Sequence, residues 1–128
     1  FADFPKLKFD IFHGSYPYMG ELGTLAKNFP NVFIDMCWMH VISPYASRMA
    51  LREWLETVPA TKISAFGGDY IFIEGTYAHC KLAKANVAEV LWQRIAEGQD
   101  DEASALALAR RLLFDNPREL FGLEVDGG

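Results

Sequence analysis

The sequence predicts an α/β fold in which three parallel strands are covered by helices in the order β-α-β-α-β-α-α. Three observations carry that expectation. Short, nearly continuous apolar runs recur at residues 7–12, 32–37 and 62–66, as expected of strands buried on both faces. Stretches with helical apolar spacing separate them. No linker or low-complexity segment interrupts the 128 residues, so they read as one unit, 1–128.

The first run, 7–12, is a strand. Pro17 and Gly20 open a short helix to about residue 29, which Pro30 and Asn31 end. The run Val-Phe-Ile-Asp-Met-Cys at 32–37 is the second strand. Ser43 before Pro44 is a helix start, because serine caps free backbone N–H groups and proline has none to lose at the first turn. The helix that follows places Leu51, Trp54, Leu55 and Val58 on one face, and Pro59 stops it. The third strand, 62–66, runs into Gly67, Gly68 and Asp69. A helix over 76–97 aligns Cys80, Ala83, Val87 and Leu91, and one over 102–114 aligns Ala105, Leu108, Ala109 and Leu112. A last turn at 117–120 is expected to carry Phe121 and Leu123 back onto the body.

Composition narrows the function classes. Hydrophobic residues make up 51% and aromatics 14%, which specifies a folded chain rather than a disordered one. The net charge is −5 with no basic stripe, which argues against nucleic acid as a partner. No apolar run approaches the ~20 residues of a membrane span, and the start does not read as a signal peptide. Two cysteines, Cys37 and Cys80, are too few for a disulfide scaffold, so the cytoplasm is the expected compartment.

Right-handed crossovers bring the C-terminal ends of parallel strands to one edge, where α/β active sites form. His13, Trp38 and Asp69 each follow a strand and so emerge together. His13 there is a metal ligand, a general base, or a residue that caps its loop. Asp69 follows two glycines that let the chain turn sharply; it binds a cation, accepts a proton, or caps the turn. Asp35, inside the second strand, must be paired or face a polar interior. His40 forms a C-x-x-H pair with Cys37, a weak zinc signal alone, and reads as part of a surface loop. His79 reads as a packing or surface residue. No nucleophile elbow, phosphate loop or dinucleotide fingerprint is present.

Together these segments resemble a known family. HGSYPYMGELGTLAKNFPNVFIDMCW looks like the sixth and seventh strand–helix units of the amidohydrolase-related metal-dependent TIM-barrel proteins. KISAFGGDY is similar to their eighth strand, and ALARRLLFDNPRELFGL to their usual ending. The resemblance implies the C-terminal part of a (β/α)8 barrel and a divalent metal, zinc by default. It gives Asp69 the role of metal ligand or acceptor of a proton from metal-activated water, and His13 that of metal ligand or acid/base. Trp38 and Tyr70 would line the substrate pocket.

The implied reaction is hydrolysis of an amide, ester or lactone on a small-molecule substrate, with a carboxylate substrate suggested by the YPY and GGDY segments. Uronate isomerases and decarboxylases share the barrel, and a noncatalytic α/β module is the alternative from another class. The family's first-strand His-x-His and fifth-strand ligand have no counterpart here, and a closed barrel takes ~250 residues. The chain alone is therefore expected to be inactive and to self-associate, or to pair with the missing half of the barrel, through open strand edges.

Overall fold

The computed structural model describes residues 1–124. Three strands, β1 (Phe9–Ile11), β2 (Val32–Asp35) and β3 (Ile63–Ser64), form one sheet in the order β1-β2-β3. Both pairings are parallel, with Ile11 beside Ile34 and Asp35 beside Ser64. Helices α1 (Met19–Asn28), α2 (Met39–Ile42), α3 (Pro44–Thr57), α4 (Ile73–Ala96), α5 (Glu102–Arg110) and α6 (Asn116–Phe121) cover it. The expected three-strand α/β order is the observed one.

The outer strands are shorter than the apolar runs suggested. β1 and β3 each have one neighbour, so pairing covers only their middles. Leu7 and Phe12 are exposed, Leu7 in a turn and Phe12 opening a 3₁₀ turn over Phe12–Ser15. The Asn31 side-chain amide faces the carbonyls of Phe1, Phe4 and Leu7 and gathers the N-terminal turns. Beyond β3, Ala65 N–H donates to the Leu112 carbonyl at 2.9 Å instead of to another strand.

The core forms where β2 meets the helices. Val32, Ile34, Leu51, Ile63 and Leu112 are fully buried, and Trp54 and Val87 are almost so. Ser43 caps α3 as expected, its Oγ accepting from Ala46 N–H at 3.1 Å. The α4 face also packs as its spacing requires: Ala83, Val87 and Leu91 are buried, and Cys80 is partly so.

The C-terminal turn departs from expectation. Residues 117–120 lie within a sixth helix, and Phe121 and Leu123 are more than half exposed. The anchor is instead polar. Asn116, buried, donates from Nδ2 to the carbonyls of Ala60 (2.6 Å) and Ile63 (2.8 Å), which fastens α6 to the start of β3. Replacing Asn116 by Ala should destabilise the fold by about 1–3 kcal/mol, because a buried carbonyl is left without its donor. Urea unfolding measures this; an unchanged midpoint would make the contact incidental.

Candidate functional site

All three strand ends put an unusual backbone at the same edge. His13, Trp38 and Asp69 have φ of 59°, 59° and 49°, and with Ser15 they are the positive-φ residues other than glycine among those described. The left-handed region costs a side-chain-bearing residue on the order of 1–2 kcal/mol, and it persists where surrounding contacts hold it, often at functional sites. His13 is held by a hydrogen bond from Nδ1–H to the Cys37 carbonyl at 2.9 Å. A carbonyl can only accept, so Nδ1 carries a proton, and in the neutral ring Nε2 is the nitrogen with the free lone pair. Trp38 leads into α2 and stacks at a tilt on Tyr70, ring centroids 5.8 Å apart. Asp69 is exposed on the turn after β3.

Missing side chains make the convergence possible. A Cβ on Gly14 would lie 2.5 Å from Met39 Sδ and 2.8 Å from the Trp54 ring, so the turn after β1 rests directly on α2 and α3. A Cβ on Gly67 would lie 2.8 Å from the Cys37 Cβ and 3.0 Å from Asp35 Oδ1. The first glycine before Asp69 therefore allows a close approach to β2, as well as a sharp turn.

As a result, one ring nitrogen of His13, Sγ of Cys37 and one carboxylate oxygen of Asp69 lie within 4.8 Å of one another. His13 is half-buried, Cys37 buried and Asp69 exposed, so the cluster opens to solvent on the Asp69 side. Burial, reinforced by Asp35, Asp69 and Asp10, pushes the Cys37 thiol up to about 12 and keeps it neutral. Asp35 accepts from Cys37 N–H at 2.6 Å, which answers how a carboxylate is tolerated inside β2. Burial still raises its pKa, against the lowering by that hydrogen bond and by nearby His13.

Two residues of this neighbourhood escaped the sequence reading. In the sequence Cys37 stands out only as a free thiol and as half of a C-x-x-H pair. Asp10 has both carboxylate oxygens buried without a hydrogen-bond partner among the described residues. Burial first, and the Asp35 charge second, push it up to about 6. Its signal was available: like Asp35, it is a lone acid inside an apolar strand.

His40 is not on a surface loop. It lies fully buried in α2, which packs on α3 and α4. Its Nε2–H donates to the Ala65 carbonyl at 2.8 Å, and its Nδ1 accepts from Asn86 Nδ2 at 3.1 Å. Asn86 also reaches Ser47 Oγ and accepts from Arg48. His79, also buried, packs against the rings of Phe66 (5.3 Å), His40 (5.7 Å) and Tyr70 (5.8 Å). Neither of its nitrogens makes a hydrogen bond of ordinary geometry among the described residues, and burial lowers its pKa, with the nearby Gly68 backbone opposing. Through Phe66 and Tyr70 this layer touches both flanks of the Gly67–Asp69 turn.

Burial holds the His40 pKa down to about 4, with the Ala65 hydrogen bond opposing and His79 adding to the shift. The folded pKa lies below the ordinary 6.5, so the neutral ring favours folding. That contribution is complete above pH 6.5 and is lost as pH falls towards 4. Relative to a His40→Gln variant, the wild type should lose on the order of 3 kcal/mol of unfolding free energy between pH 7 and pH 4. Urea titrations at both pH values check this; a constant difference would mean that His40 titrates normally. The comparison removes the opposing contribution of Asp10, common to both proteins.

A wide groove lined by Lys8, Lys27, Phe33, Pro59 and Lys62 lies on the side of the sheet where β3 begins, away from this cluster. Its Lys62 ammonium is already bonded to the Ala26 and Phe29 carbonyls at the end of α1. No helix among the described residues is long and apolar enough to cross a membrane.

Comparison with known proteins agrees with this architecture. The family model described as amidohydrolase matches residues 1–123. The protein fluG of Emericella nidulans is 30% identical over 123 residues, 95% of this chain and 14% of that protein. A uronate isomerase of a Thermotoga species is 21% identical over 116 residues, 91% of this chain and 26% of the isomerase. The chain thus spans about a quarter or less of the curated relatives it matches. A solved structure from Lactobacillus casei, described as a "putative metal-dependent hydrolase", superposes with a TM-score of 0.74 at 23% identity, covering 97% of this chain and 35% of that one. The fold is that of a partial (β/α)8 barrel, and the chain belongs to the amidohydrolase family.

Proposed function

We propose that this chain supplies strands six to eight of a barrel hydrolase in which His13 and Asp69 hold a divalent cation, zinc, at an amide-, ester- or lactone-cleaving site. The observation that carries the reading is the approach of His13 and Asp69, two strands apart, to within 4.8 Å at the C-terminal edge of the sheet. The donors fit: an imidazole nitrogen and a carboxylate oxygen are what zinc takes, and the site is open on one side. A divalent cation bound there would supply Lewis acidity and lower the pKa of water.

This chain's own groups would do the rest. The Cys37 carbonyl would hold the His13 ring and leave Nε2 free to act as a ligand or as a proton carrier. Asp69, exposed, would accept a proton from the attacking water. Trp38 and Tyr70 would give a small, carboxylate-bearing substrate an apolar wall. The outer edges of β1 and β3 are where the remaining strands would pair, bringing the further ligands such a centre needs. Without them the chain would be inactive and its edges would self-associate. Both cysteines are free, which suits the cytoplasm.

The likeness to a uronate isomerase favours a second reading, an isomerase or decarboxylase built on the same residues. The test is to assay the full-length, zinc-replete protein on carboxylate-bearing amides, esters and lactones and on uronates, with and without chelator. Hydrolysis that is lost to chelator and restored by zinc is the expected result. Turnover of uronates alone would transfer the assignment to the second reading. No turnover of either class would favour a noncatalytic module.

A further inference from the structure

We infer that Cys37 is a third ligand to the cation, so that this chain contributes a His–Cys–Asp set rather than two ligands. The inference rests on the metal reading above and deepens it. Its basis is that Cys37 Sγ belongs to the same 4.8 Å triangle as the His13 and Asp69 donors, whereas its C-x-x-H partner His40 is turned to Ala65 and Asn86. A tetrahedral cation with bonds of about 2.0–2.3 Å holds its donors about 3.3–3.8 Å apart. The triangle therefore needs to contract by at most about 1–1.5 Å along its longest edge, within the reach of small side-chain rotations.

The backbone around Cys37 also suits the role, and a bound cation would offset the burial and the carboxylates that keep the free thiol neutral. Cys37 is 2% exposed, so the sulfur is shielded from oxidants and bulk water. Its main chain is fixed at both ends, the N–H by Asp35 and the carbonyl by His13. The residue that orients the imidazole would thus also bind beside it. The missing Cβ of Gly67 lets the Asp69 loop close against Cys37, where any larger residue would push the two apart. On binding, a sulfur–metal bond forms, the S–H bond breaks and the proton leaves to solvent. A thiolate would bias the site towards zinc and other soft cations over magnesium or calcium.

The test is optical. The full-length protein, stripped of metal, is titrated with Co²⁺, whose visible d–d bands report binding and whose near-ultraviolet sulfur-to-cobalt charge-transfer band reports a thiolate ligand. The expected result is both bands in the wild type and in Cys80→Ser. In Cys37→Ser the charge-transfer band should be lost while the visible bands survive, with affinity for Co²⁺ lower by roughly tenfold or more. Visible bands without the charge-transfer band in the wild type would overturn the role of Cys37 and leave the metal reading standing. No cobalt bands at all would overturn both. Should Cys37→Ser not fold, Cys37→Ala, which leaves no polar group in the buried position, gives the same reading: a charge-transfer band that survives in it would overturn the role of Cys37.

Discussion

Replacing Asp69 by Asn is expected to abolish useful turnover in the full-length protein while leaving the fold intact. Asn nearly matches Asp in size, and the side chain is exposed on a turn whose course is set by Gly67. Asn also tolerates the left-handed backbone, φ 49°, that this position adopts. What the substitution removes is the negative charge that would favour a cation and the basic oxygen that would take a proton from water. Loss of the proton acceptor alone costs about 10²–10⁴-fold in kcat, and weaker metal binding lowers it further. The check is kcat at saturating zinc, with circular dichroism to confirm folding. Activity within a few-fold of wild type would reduce Asp69 to a turn residue.

Trp54→Ala should give the largest loss of stability, about 3–5 kcal/mol, as for other buried aromatics cut back to Ala. Trp54 is 1% exposed and donates from Nε1 to the Met19 carbonyl at 3.1 Å. Its ring fills the space left by two glycines, since a Cβ at Gly14 or at Gly23 would meet it at less than 3 Å. The cavity would therefore open under the His13–Gly14 turn, loosening the residue that donates to the Cys37 carbonyl. Urea unfolding should show the loss, and Trp54→Phe, which keeps most of the volume, should recover much of it. A loss below about 1 kcal/mol in Trp54→Ala would mean that the site turn does not depend on this contact.

The parts of the molecule legible in the sequence are those where one local force dominates. β2 could be read because it is central and buried, so its apolar run is unbroken except for Asp35. Ser43–Pro44 marked a helix start because capping is a property of those two residues. His13 and Asp69 were legible as candidates from topology alone, since parallel strands end at one edge.

What stayed hidden depends on contacts distant in sequence. The edges of β1 and β3 were overextended because the apolar run does not say how many neighbours a strand has. His40 was misread because the four-residue α2 has no room for a periodic pattern, and its partners are the distant Ala65 and Asn86. Phe121 and Leu123 were expected to pack because they are apolar, whereas Asn116 anchors that end through hydrogen bonds. Cys37 was absorbed into the apolar run of β2. Only the approach of Gly67 reveals that its sulfur meets His13 and Asp69.

Anomalous scattering tests the central claim most directly. Crystals of the full-length protein grown with zinc, measured on either side of the zinc absorption edge, should show a peak about 2.0–2.2 Å from a His13 nitrogen and from an Asp69 oxygen. Zinc occupying other sites, with His13 and Asp69 bridged only by water, would contradict the account.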